Sequence, residues 1–149
     1  MSKLTGAMAQ AAAYPNDVRL QLSAGYAAET EGKIELALKY FDLAFSMGLP
    51  IDVRHRLFFA YGKALRKAGR LEESEKILSQ AITEFPSELG YPVQLAMTLD
   101  RSGRSTEAVA YLLELLVRCR HLVIEMATQK PEIVEFLAEL GFESSAAED

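Results

Sequence analysis

The stretch from Asp52 to Pro86 reads DVRHRLFFAYGKALRKAGRLEESEKILSQAITEFP, and two amphipathic helices separated by a glycine account for all of it. Asp52 suits the N-cap of a helix running to about Ala68, with Phe58, Tyr61 and Leu65 on one face at spacings of three and four. Gly69 follows, tolerant of the left-handed conformation that a tight helix ending needs. A second helix then spans about Leu71 to Glu84, turning Ile77, Leu78, Ala81 and Ile82 inward, and Pro86 stops it.

The same plan recurs on either side. Glu31-Gly32-Lys33, Ala68-Gly69-Arg70 and Ser102-Gly103-Arg104 place glycines at intervals of 37 and 34 residues, each between two helix-like segments. In the first unit Ile34, Ala37, Leu38, Phe41, Ala44 and Phe45 mark the inner face of the second helix; in the third, Ala108, Leu112 and Leu115 do. The longer first interval falls in Met47 to Ile51, a loop that should widen the joint between units one and two. Pro92 is tolerable near a helix start, which sets the third unit's first helix beginning close to 87–91.

These residues resemble the tetratricopeptide repeat family, whose pattern sets a large residue, Leu-Gly, an aromatic, Ala, Phe, Ala and Pro at fixed offsets. Unit two matches with Phe58, Tyr61-Gly62, Leu65, Gly69, Ala81 and Pro86, and with Ser74 in an alanine slot. Unit one matches with Ala24-Gly25, Ala28, Gly32, Ala37, Phe41 and Ala44. Unit three matches with Leu95-Ala96, Leu99, Gly103, Ala108 and Leu112, while Pro92 holds the large-residue slot and Leu115 replaces an alanine. The resemblance implies an all-α fold, an α-α superhelix or solenoid of antiparallel helix pairs. Gly25, Gly62 and Ala96 then sit at helix crossings, where a bulky side chain would push the axes apart. Helix pairs that cannot bury their apolar faces alone must stack into one elongated core.

The expected organisation is an N-terminal segment over 1–16, poorly ordered or a short helix, and a single repeat domain over 17–142. Its repeats are about 17–50, 53–87 and 88–118, followed by C-terminal helices over 119–142 and a disordered tail over 143–149. Residues 117–128 are expected to be helical, continuing the preceding helix or forming their own. Pro131 to Gly141 reads as a capping helix, with Ile133, Phe136, Leu137 and Leu140 on one face and Glu132, Glu135 and Glu139 away from it.

In this family the first helix of each pair lines a concave groove that holds a peptide or a partner's helix. Carried over by position, the groove slots fall on Arg19, Leu22, Tyr26 and Glu29, then on Arg56, Phe59, Lys63, Arg66 and Lys67, then on Val93, Met97, Asp100 and Arg101. Two features of the residues themselves agree. Phe58 and Phe59 lie about 100° apart on a helix, so if one is core the other looks elsewhere, in line with Lys63 and Arg66. Arg54, Arg56, Lys63, Arg66, Lys67 and Arg70 also gather positive charge in one helix of a chain with net charge −5. That face suits an acidic, partly apolar segment. The slots of the carboxylate clamp found in chaperone-binding members hold Leu22, Tyr26, Ala60, Gly90 and Gln94, which cannot build it.

Other classes find little support. Half the residues are hydrophobic and a quarter charged, as in a folded globular domain. The net charge disfavours nucleic acid as a partner, and no apolar run is long enough to span a membrane. The single cysteine, Cys119, permits no intrachain disulfide, and no secretory leader pattern opens the chain, so a cytoplasmic location is the expectation. Cys119 and His121 are two apart on a helix and point in different directions; no zinc spacing, phosphate loop or nucleophile elbow occurs. Glu72, Glu73 and Glu75 suit the start of a helix through its dipole. The expectation is a non-enzymatic binding module with no cofactor or metal, whose partner is a protein or peptide. The alternative is a homodimer or other homo-oligomer associating through the apolar residues Leu113, Leu116, Leu122, Val123 and Ile124.

Overall fold

The computed structural model describes residues 2–128, with side chains to residue 120. Among these residues there are seven helices and no strand: α1 (Lys3–Ala13), α2 (Val18–Thr30), α3 (Ile34–Ser46), α4 (Ile51–Lys67), α5 (Leu71–Glu84), α6 (Gly90–Arg101) and α7 (Ser105–Thr128). The architecture is therefore all-α, an array of antiparallel helix pairs. The expected capping helix over 131–141 and the tail lie outside the described residues. Residues 117–128 continue the preceding helix as part of α7. The chain divides into two compact units, Met1–Val109 and Ala110–Asp149.

The repeated glycines work identically. Gly32, Gly69 and Gly103 adopt φ of 74°, 80° and 80°. Each ends its helix with the same pair of backbone bonds. In unit two the Gly69 N–H donates to Arg66 O (3.2 Å) and the Arg70 N–H to Leu65 O (2.9 Å). Lys33 to Ala28 O and Arg104 to Leu99 O repeat the outer bond at 2.9 Å. This double closure satisfies carbonyls that a helix end leaves orphaned, and a left-handed residue is required to make it. The next helix starts within two residues, and α2 with α3 and α4 with α5 fold into hairpins.

Helix starts are more varied. The Asp17 carboxylate caps α2, accepting from the N–H groups of Arg19 (2.9 Å) and Leu20 (3.3 Å). Asp52 does not cap α4, contrary to the sequence expectation. That helix begins two residues earlier, at Ile51 after Pro50, so Asp52 lies inside the first turn and pairs with Arg19 instead. Pro92 sits in the first turn of α6, where its missing N–H breaks no bond. Helix α1 is capped by Ser2 and tied to α2 by the buried Gln21 amide, which donates to Ala11 O (3.0 Å) and Pro15 O (3.1 Å).

Within the first unit α2 packs on α3 and α4 on α5, and each second helix also meets the next first helix. The α3–α4 joint is thinner than the α5–α6 joint, as the longer Met47–Ile51 loop requires. Gly25 and Gly62 occur where the helices of a pair cross: a Cβ on Gly25 would stand 2.5 Å from Phe41 Cε1, and one on Gly62 2.7 Å from Leu78 Cδ2. Aromatic rings thread the stack, from Tyr26 through Phe41, Tyr61, Phe45, Phe58 and Phe85 to Tyr91, at centroid separations of 5.5–6.2 Å. Ser74, in the alanine slot, is fully buried yet satisfied, donating to Gly62 O (2.8 Å) and facing Thr98 Oγ1 at 3.1 Å. In the third repeat Ala108 and Leu115 are buried as expected, but Leu112 is 38% exposed and does not belong to the core.

This aromatic core carries a pH dependence. Burial, followed by the Asp42 carboxylate to which its hydroxyl donates, holds Tyr61 well above the usual phenol range. Burial, then Glu88, pushes Tyr91 up to about 12. Each phenol ionises more readily in the unfolded chain, at about 10, than in the fold. Their contribution is therefore complete below pH ~10 and is lost as pH climbs from there through the folded values. Thermal unfolding followed by circular dichroism should show a falling midpoint from about pH 10 to 12, with a shallower fall in Tyr61→Phe. Equal slopes in the two proteins would refute this assignment.

Candidate functional site

The first helices α2, α4 and α6 lie side by side, α2 touching α4 and α4 touching α6. Their faces turned away from α3 and α5 form a strip, and the sequence-expected groove residues all come from these three helices. The structure treats them unequally.

The apolar members are Phe59, Val93 and Met97, all exposed. Phe58 is wholly buried and its neighbour Phe59 is 39% exposed, as the 100° step between them demands. The Phe59 ring lies over Gly90, where a Cβ would come within 3.1 Å of it, and beside Tyr91. Val93 and Met97 follow Gly90 along α6 at spacings of three and four. Leu22 is only 4% exposed, so it belongs to the wall more than to the open strip.

Most of the positive charge gathered on α4 is matched within the fold. Lys63 Nζ lies 3.0 Å from Glu29 Oε1, and Lys67 Nζ lies 4.0 Å from the same oxygen. The Lys63 contact lacks hydrogen-bond alignment, so it is an ion pair only. Arg54 pairs with Glu84 (2.9 Å) and Arg19 of α2 with Asp52 (2.9 Å); Arg70, expected on the same helix, lies beyond the end of α4 at the start of α5 and pairs with Glu73 (2.5 Å). Exposed pairs of this kind contribute about 0–1 kcal/mol each, so a ligand carboxylate can displace them. Arg66 differs. It is 7% exposed, its Nη1 donates to the Gln94 carbonyl (3.1 Å), and burial, then the nearby Arg101, lowers its pKa. Its structural role, holding α4 to α6, was invisible to a reading that placed it on an open basic face. Among the described residues Arg56 and Arg101 are left with no ion pair, and both are exposed.

The polar atoms tell more. Three buried side-chain oxygens among the described residues have no hydrogen-bond partner: Tyr26 Oη, Glu29 Oε1 and Gln94 Oε1. All three belong to first helices, two on α2 and one on α6. Burial raises the Tyr26 pKa, with the positive charge of Arg56 opposing. Sequence reasoning weighed Gln94 only as a failed clamp residue and did not include it among the binding positions. Its signal was its place on α6 three residues before the groove position Met97.

A cavity of about 760 Å³ opens at the α1 end of the strip. Arg19, Leu22, Tyr26 and Arg56 line it, together with Lys3, Gly6, Ala7 and Gln10 of α1. No group of three or more His, Cys, Asp or Glu residues able to hold a metal occurs among the described residues, and no described helix is long and apolar enough to cross a membrane. On α7, Leu113, Leu116 and Val117 are exposed.

A family profile described as a tetratrico peptide repeat matches residues 20–127. No curated protein matches the chain.

Proposed function

Because this chain belongs to the tetratricopeptide repeat family, whose repeats generally mediate protein–protein interaction, we propose that it is a non-enzymatic binding module that holds a protein or peptide segment along the α2–α4–α6 strip. The observation that carries this reading is the strip itself, where first helices set exposed arginines without ion pairs among the described residues, Arg56 and Arg101, next to exposed apolar side chains. Exposed Phe59, Val93 and Met97 supply apolar grip beside them. Arg56 and Arg101, and the two lysines that share one glutamate, leave the strip cationic enough to favour an acidic segment with apolar side chains.

The test compares wild type with an Arg56→Glu, Phe59→Ala, Met97→Glu variant as baits in lysate of the native host, after circular dichroism shows both folded. Arg66 is left intact, because reversing a buried charge would perturb the fold. A protein retained by wild type, reduced tenfold or more by the variant and released by high salt is the expected result. Identical retention by both baits would overturn the strip as the binding face.

A further inference from the structure

The cavity beside α1 stands out by its charge. The chain as a whole carries a net −5, yet three of the side chains lining this cavity are cationic: Lys3 of α1, Arg19 of α2 and Arg56 of α4. One carboxylate, Glu31, lines it with them, and Lys33 already engages that group at 3.1 Å. Elsewhere the cations of α4 are matched within the fold, as Lys63 is by Glu29 and Arg54 by Glu84. Here the matching is incomplete. Lys3 and Arg56 have no ion pair among the described residues, and Arg19 meets Asp52 only where both side chains are more than half exposed. Cations lining one cavity repel one another, and an anion placed among them removes that cost.

We infer that this cavity binds a small organic phosphate monoester, its phosphate held among Lys3, Arg19 and Arg56 and its organic body against the apolar wall. The volume of about 760 Å³ falls within the range of about 300–1,000 Å³ usual for small-molecule sites. A phosphate monoester brings a charge of about −1.5 to −2 at neutral pH and three strong acceptor oxygens. Each arginine can meet it through two parallel hydrogen bonds. Three cations therefore suit a dianion better than a single carboxylate. Leu22, Ala27 and Val53 supply the apolar wall, and Gln10 and Ser23 add polar side chains beside it. The α1 side has room for the body, since a Cβ added at Gly6 would meet nothing within 4 Å beyond its own helix backbone and chain neighbours. The site goes beyond the protein-binding strip, because Lys3, Gly6 and Gln10 belong to α1, which contributes nothing to that strip.

The test titrates the full chain, labelled with nitrogen-15, with phenyl phosphate, inorganic phosphate, benzoate and phenol in separate series, and follows backbone amides by NMR. Phenyl phosphate should give saturable shifts centred on Gly6, Ala7, Ser23 and Ala27. The other three probes should bind about fivefold more weakly or less. Lys3→Gln and Arg56→Gln should each weaken phenyl phosphate about fivefold or more, whereas Lys76→Gln, which removes the same charge from an exposed position on α5, should not. Gly6→Trp, which fills the cavity, should abolish the shifts. If that variant does not fold, the two glutamine variants carry the test, since Lys3 and Arg56 are exposed. Inorganic phosphate binding as tightly as phenyl phosphate would show that no organic body is held, and benzoate doing so would show that phosphate is not selected; either overturns the inference. Shifts that never saturate, that centre on Phe59 and Met97, or that weaken equally in Lys76→Gln overturn it as well, and all of these leave the protein-binding strip untouched.

Discussion

Phe41→Ala is expected to lower the free energy of unfolding by about 3–5 kcal/mol, the range for emptying a fully buried phenylalanine site. Phe41 is wholly buried, stacks edge-on to Tyr26 and Tyr61, and fills the crossing of α2 and α3 above Gly25. The cavity cannot collapse easily, because Tyr61 is anchored through Asp42 and cannot swing into the space. In a domain of this size each kcal/mol moves the thermal midpoint by roughly 2–4 °C, so a drop on the order of 10 °C should appear in calorimetry. A loss below about 1 kcal/mol in urea denaturation would mean that Phe41 is not the keystone of this crossing.

The same contact, approached from the other side, gives the second large effect. Gly25→Leu should destabilise by about 3 kcal/mol, at the upper end of the cost of overpacking a filled core. Helix propensity alone argues the reverse, since a glycine inside a helix is about 0.8–1 kcal/mol worse than a good helix former. The contact wins because even a Cβ would stand 2.5 Å from Cε1 and 2.7 Å from Cδ1 of a ring that has no room to move. Pairing Gly25→Ala with Phe41→Leu relieves the clash from both sides. The double variant should therefore be less destabilised than the sum of its parts, by about 0.5–3 kcal/mol of coupling. Strict additivity would show that the two residues do not meet.

The contrast between Lys63 and Arg66 shows where sequence reading stops. Both sit on α4 at positions the family pattern assigns to the groove, three residues apart, with no local feature to separate them. Lys63 reaches back to Glu29 on the preceding first helix, while Arg66 reaches forward to the carbonyl of Gln94 on the following one and is buried by it. Their partners lie 34 and 28 residues away, so only the lateral placement of three helices assigns them.

What the sequence determined by itself is whatever a few neighbouring residues decide. The phase of the repeats, the left-handed turns at Gly32, Gly69 and Gly103, the inward faces of α3, α4 and α5 and the outward turn of Phe59 all follow from capping chemistry and a period of 3.6, which act within one or two turns of helix. The tertiary structure alone decided which cations are spent inside the fold, that Asp52 pairs with Arg19 rather than capping α4, and that α1 docks on α2 to wall off a cavity. Those outcomes depend on distances between helices that are far apart in the chain, and no periodicity along one helix encodes them.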